Sequence, residues 1–159
     1  MPGKPRLRRA VALALAGMLT LGLVGTGTEP ASAAVSNREM KLRAMINKSR
    51  DVHNVRRLKL NRNLSTLARR HSRQMARSGS IYHSNTHQLY GYMDSGNCSA
   101  RIGENVGRSL RKNGVRGIHK MYMGSPGHRD NILRSYWRKV GVGIYRSGRW
   151  FYSTEIFCV

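Results

Sequence analysis

Ser125-Pro126-Gly127-His128-Arg129-Asp130-Asn131-Ile132-Leu133, with Gly103-Glu104-Asn105-Val106 upstream of it, carries the most structural information in this chain. The Pro-Gly pair forces a turn. His128 follows it, where an apolar-patterned segment containing Ile132 and Leu133 begins. Glu104 is one of only 7 acidic residues among 159. A scarce carboxylate and a turn-mounted histidine mark a site without yet defining a chemistry.

The strongest β signal lies beyond this segment. Val140 to Tyr145 alternates with glycine, and Trp150 to Phe157 is aromatic and β-branched. Arg146-Ser147-Gly148-Arg149 separates the two runs, so they read as a hairpin. Helical patterns precede it. Met40 to Val55 carries an imperfect apolar stripe, with Ser36 and Asn37 as candidate caps. Leu58 and Leu60 read as a short extended connection. Leu64, Leu67, Ala68, His71 and Met75 form an amphipathic helical face that ends near Gly79. Residues 80–101 are polar, aromatic and glycine-containing, and read as a long loop of the kind that carries function. A third helix is expected over Val115 to Met123, and a short helical turn over His128 to Leu133. Helices followed by a terminal hairpin predict an α+β fold.

The order of the Gly-Glu-Asn segment, the Ser-Pro-Gly-His-Arg-x-Asn-Ile-Leu segment and the Val140-Gly141-Val142-Gly143 strand resembles bacterial members of the CAP superfamily, also called the SCP domain (cysteine-rich secretory, antigen 5 and pathogenesis-related proteins). The resemblance implies a three-layer α-β-α sandwich with a small antiparallel sheet, covering 40–157 within a domain of 34–159. It also implies a cavity lined by two histidines and two glutamates. His83 matches the first histidine, Glu104 the glutamate of the Gly-Glu-Asn motif, and His128 the second histidine. The second glutamate has no match, and Ser125 falls near its place. Asn105 and Asn131, inside the two motifs, read as polar supports for the turns.

Two imidazoles and a carboxylate can hold zinc or another divalent metal with positions left open for water. They can equally form a metal-free proton-transfer network, or leave Glu104 to orient the rings within the fold. His83 and His128 lie 45 residues apart, and the His-Glu-x-x-His zinc-peptidase motif is absent. No nucleophile is readable, so no catalytic residue is assigned. Of the remaining candidates, His71 lies in line with an apolar stripe and reads as a packed, hydrogen-bonded ring. His87 is a loop histidine near His83, and His53 and His119 have no constellation around them. Ser125 suits a helix cap. Glu155 shares a strand face with Phe151, Ser153 and Phe157, near the cavity or paired with an arginine. Tyr82, Tyr90 and Tyr92 are candidates for an aromatic wall or a lid. Asp94 reads as a turn former.

Residues 1–33 read as a signal peptide. Lys4, Arg6, Arg8 and Arg9 precede a charge-free, mostly apolar run from Ala10 to Gly25, and Ala31-Ser32-Ala33 resembles a cleavage site. The run is shorter than the ~20 residues a spanning helix needs. Export to the extracellular side is therefore expected, and Cys98 and Cys158 are expected to form one structural disulfide there. Without Lys4, Arg6, Arg8, Arg9 and Glu29, the 29 basic and 7 acidic residues fall to 25 and 6, a net charge of +19. The bases are scattered, which argues against a nucleic-acid module and allows attraction to anionic envelope polymers or lipid. The reading is a monomeric, secreted, non-enzymatic protein whose His/Glu cavity binds a ligand or divalent metal. Two alternatives stand beside it: a zinc-dependent hydrolase of peptide or envelope polymer, and a basic adhesive protein for anionic polymers.

Overall fold

The structure, a computed structural model, describes residues 34–159; the expected signal peptide lies outside the described residues. Helix α1 (Asn37–Val52) opens with a capping box in which Ser36 and Glu39 exchange hydrogen bonds. Glu39 is fully buried. Its Oε1 accepts from Arg69 Nε at 2.9 Å and from the Ile144 backbone N–H at 3.1 Å, which ties the first helix to the second helix and the sheet.

A two-residue strand, β1 (Lys59–Leu60), leads into α2 (Arg62–Ser78), capped by Asn61 and closed by Gly79 at φ 70°. Next come α3 (Thr86–Gly96), β2 (Ile102–Leu110), α4 (Gly114–Gly124), α5 (Pro126–Leu133), β3 (Lys139–Ser147) and β4 (Trp150–Cys158). The expected long loop over 80–101 is therefore interrupted by α3, whose Asn85 and Gln88 form a second capping box. Asp94 lies within that helix rather than in a turn.

The strand order is β1-β3-β4-β2. The hairpin β3–β4 and the pair β2–β4 are antiparallel, but β1 runs parallel to β3, with Lys59 opposite Lys139. The sheet is thus mixed, not purely antiparallel as expected. The exception is one two-residue strand laid beside β3 between α1 and α2.

Three layers result. On one face, Leu42 and Ile46 of α1, Ile118 and Tyr122 of α4 and Ile132 of α5 pack on Val140, Val142, Phe151 and Phe157. On the other, Leu64 and Ala68 of α2 and Tyr92 of α3 pack on Ile156 and Cys158. Gly141 and Gly143 explain how closely α2 approaches. A Cβ on Gly143 would lie 2.1 Å from the carbonyl carbon of Ala68, so only glycine leaves room for the helix backbone. The expected disulfide joins Cys98 to Cys158, with Cα atoms 5.7 Å apart and a sequence separation of 60. Closing a loop of that size stabilises by roughly 2–4 kcal/mol. It pins the end of β4 to the segment entering β2. Among the described residues no helix is long and apolar enough to cross a membrane.

Candidate functional site

Strand β2 is the outer strand of the sheet next to β4, with a helical layer above and below it. Successive side chains on a strand point to opposite faces. Glu104 accordingly turns toward the α3 side, while Gly103, Asn105 and Gly107 turn toward α4 and α5. The connection between α2 and α3 delivers His83 from one layer, and α5 delivers His128 from the other. Two histidines far apart in sequence meet over this outer strand for that reason.

Glu104 is held by its neighbours on the chain before α3. Its Oε1 accepts from the Ser84 backbone N–H at 2.9 Å and meets His83 Nδ1 at 2.9 Å, while Oε2 accepts from Ser84 Oγ at 2.6 Å. The side chain of His83 is 60% exposed and that of Glu104 only 3%, so the imidazole forms the accessible surface and the carboxylate its support. Ser84 Oγ also reaches the hydroxyl of Tyr92 at 3.2 Å. Burial raises the Tyr92 phenol above its ordinary pKa, so it stays protonated beneath this group.

The opposite wall is His128. Its ring lies 5.1 Å from that of Tyr122, and its Nδ1 is buried without a hydrogen-bond partner among the described residues. Burial, and then the nearby charge of His83, lower its pKa below the ordinary histidine value. Behind it runs a chain of amides. Asn105 Nδ2 donates to the His128 carbonyl at 3.1 Å and to Glu155 Oε2 at 3.0 Å, and Asn131 Nδ2 donates to Asn105 Oδ1 at 3.0 Å. Asn105 and Asn131 thus support the site through side-chain bonds. Glu155 is fully buried and pairs with no arginine among the described residues, because its strand face points into the core. Burial pushes its pKa to about 8, against the opposing effect of the Asn105 hydrogen bond, and its Oε1 has no partner among the described residues.

A cleft of about 590 Å³ contains His83, Glu104, Asn105, Ser125, His128 and Asn131 together. All six residues picked out from the sequence therefore line one space. Ser125 occupies the N-cap position of α5, ahead of Pro126, but its side chain makes no capping bond. Sequence reasoning missed Arg101, Arg134, Tyr136 and Trp137, which also line the cleft. Their signal was adjacency: Arg101 stands just before the Gly-Glu-Asn motif, and the other three follow Leu133 directly. Arg134 Nη1 donates to Tyr136 Oη at 2.8 Å, and the Arg101 guanidinium lies 4.9 Å from the Tyr136 ring. Buried Arg50 anchors this corner by donating to the carbonyls of Ile132 at 2.6 Å and Arg134 at 3.1 Å. Those are carbonyls the end of α5 leaves open.

The remaining candidates lie elsewhere. His71 is buried, with Nε2 2.9 Å from the Tyr82 carbonyl oxygen. His87 is exposed on α3. His53 and His119 do have a constellation after all: Ser49 Oγ meets His119 Nε2 at 2.8 Å, and His53 Nδ1 meets the Ser49 carbonyl oxygen at 2.7 Å. The three tyrosines form no common wall, since Tyr82 and Tyr90 are exposed and Tyr92 is buried.

The His83, Glu104 and His128 set does not fit a three-ligand metal centre as it stands. Both oxygens of Glu104 are already engaged by Ser84 and His83, and among the described residues no three His, Cys, Asp or Glu side chains are grouped to hold an ion. What the site offers is two imidazoles, one of them solvent-facing, beside two guanidiniums.

The profile of CAP, the cysteine-rich secretory protein family, matches residues 43–159. The chain belongs to the CAP family. Its fold is shared with a cysteine-rich secretory protein from Staphylococcus aureus, with TM-score 0.61 and 24% identity over 77% of this chain and 38% of that one. An outer surface protein from Borrelia burgdorferi matches with TM-score 0.67 and 14% identity, covering 80% of this chain and 98% of that chain. A crystal structure of NaASP2 with Zn²⁺ matches with TM-score 0.62 and 13% identity, covering 80% and 82%. This CAP chain therefore spans well under half of the Staphylococcus protein. No curated protein sequence matches it.

Proposed function

We propose that this protein is exported and acts without catalysis, binding a ligand in the cleft over β2 through His83, Glu104 and His128. The observation that carries the proposal is the convergence of those three residues, from both helical layers, on one open cleft of about 590 Å³. The non-enzymatic reading is supported by the state of each group. Glu104 is committed to three hydrogen bonds, with His83 Nδ1, the Ser84 backbone N–H and Ser84 Oγ, which suits it to orienting the imidazole. Export is supported by the basic, apolar and small-residue order of residues 1–33.

The test is native mass spectrometry of residues 34–159 after exposure to a solvent extract of envelope material, with zinc titrated separately by calorimetry. The expected result is a retained small molecule that is lost in His83→Ala and His128→Ala while the circular dichroism spectrum is unchanged. Adducts identical in all three proteins would remove the cleft from the proposal. Saturable zinc binding abolished by both variants would replace the ligand with a metal.

A further inference from the structure

The cleft does not end at His128. Beyond Ser125, which lines both spaces, a second hollow of about 850 Å³ continues along β2 between Arg108, Arg116, Lys120 and Trp150. Residues 102–105 of β2 line the first space and residues 108–110 the second, so the two lie end to end along the outer strand. From Gly103 to Ser109 such a strand extends about 20 Å.

The charge along this track is one-sided. Arg101 and Arg134 line the first space, and Arg108, Arg116 and Lys120 the second; none of the five lies within ion-pair distance of a carboxylate among the described residues. Glu104 is the single carboxylate among the lining residues, and its oxygens are turned to Ser84 and His83. Unpaired arginines present a planar fork suited to phosphate oxygens.

Two aromatic rings hold guanidiniums in place. Arg101 and Arg134 lie 4.9 and 6.0 Å from the Tyr136 ring centre, and Arg108 and Arg149 lie 4.7 and 5.8 Å from that of Trp150. Cation–π contact restricts each side chain before any ligand arrives. It also occupies the rings. Single-stranded nucleic acids bind through bases stacked on free aromatic faces, and these rings already carry two guanidiniums each.

We propose that the cleft and the hollow beyond Ser125 form one binding track for a linear, base-free phosphodiester polymer of the polyol-phosphate type. This rests on the reading of the β2 cleft as the binding site and names the chemistry of what enters it. Successive phosphates meet Arg101 and Arg134 at one end, pass the imidazoles of His83 and His128, and meet Arg108, Arg116 and Lys120 at the other.

The test is fluorescence anisotropy of dye-labelled poly(glycerol phosphate) with residues 34–159 at low and at physiological salt. Two charge-reversed pairs, R101E/R134E and R116E/K120E, are compared with a control pair of the same charge change, R62E/R70E, on exposed positions of α2. Each track pair is expected to weaken binding by about tenfold or more, and the control pair by less than about threefold. Equal losses in all three pairs would reduce the effect to net charge and overturn the track. A loss in only one track pair would break its continuity. Single-stranded DNA of matched phosphate number binding as tightly would overturn the base-free assignment. The two proposals fail separately. Extract ligands retained by His83→Ala, with polymer binding still lost in the track pairs, remove the His/Glu site and keep the track. Polymer binding untouched by the track pairs, with ligand lost in His83→Ala, does the reverse.

Discussion

Strands β3 and β2 each carry two glycines on one face, yet the glycines do different work. In β3, an internal strand, Gly141 and Gly143 admit the backbone of α2, and Val140 and Val142 fill the opposite layer. In β2, at the sheet's margin, Gly103 and Gly107 admit side chains: Trp137 and Asn131 at the first, Met121 and Tyr122 at the second. A backbone neighbour cannot rotate away, whereas a side chain can. The interior strand is consequently the rigid reference, and the outer strand is where a cleft can be shaped without dismantling the fold.

The sharpest way to break this comparison is at Gly143. An alanine there places a methyl 2.1 Å from both the Ala68 carbonyl carbon and the Arg69 nitrogen, so α2 must lift from the sheet. A destabilisation of about 4 kcal/mol or more is expected, read as a fall in the urea midpoint at unchanged slope. A cost below about 1 kcal/mol would mean that α2 yields easily, and the distinction between the strands would disappear.

A second test addresses the layer behind the cleft. Glu155 has a folded-state pKa of about 8 against an ordinary 4.5, so the native state binds a proton that the unfolded chain has released. Its stabilising contribution is complete below pH 4.5 and is lost as pH rises through about 8. Glu155→Gln cannot titrate, and it keeps an oxygen to accept the Asn105 hydrogen bond. The variant should therefore gain on the wild type by about 4 kcal/mol between pH 5 and pH 9 in denaturant melts. Parallel pH profiles would show that Glu155 is solvated and that the amide chain behind His128 is not sealed from water.

The same contrast explains what was legible beforehand. Helices α1 and α2 and the β3–β4 hairpin announce themselves by period and caps because they serve the core, and the Val-Gly-Val-Gly alternation is a core signal. Strand β2 escaped because Glu104, Asn105, Arg108 and Ser109 leave no apolar alternation; the strand is held by its backbone pairing with β4 rather than by a greasy face. Helix α3 escaped because Thr86–Gly96 has little apolar period and a glycine at position 91. His83, Glu104 and His128 were recognisable through family motifs alone, since nothing local to any of them reveals that two layers converge. Arg101, Arg134 and Tyr136 belong to no motif. They meet only because Arg50 anchors the end of α5 and the disulfide fixes the entry to β2.

The smallest effect is expected at Gly103, where the outer strand's tolerance is tested directly. An added methyl would lie 2.7 Å from Trp137 Cζ2 and 2.8 Å from Asn131 Oδ1, both side-chain atoms. Trp137 is nearly fully buried, so its ring can shift only slightly; Asn131 is half-buried and gives more readily. Its displacement stretches the 3.0 Å bond from Asn131 Nδ2 to Asn105 Oδ1, the link that carries the α5 wall onto β2. Gly103→Ala should therefore cost about 1–2 kcal/mol and alter the near-ultraviolet circular dichroism of Trp137, while α2 and the hairpin stay intact. Ligand or polymer affinity should fall further than that stability loss accounts for, because the cleft floor moves while the core does not. A cost equal to that of Gly143→Ala would show that β2 is as rigid as β3, and the cleft would then be a fixed part of the core rather than an adjustable margin of the sheet.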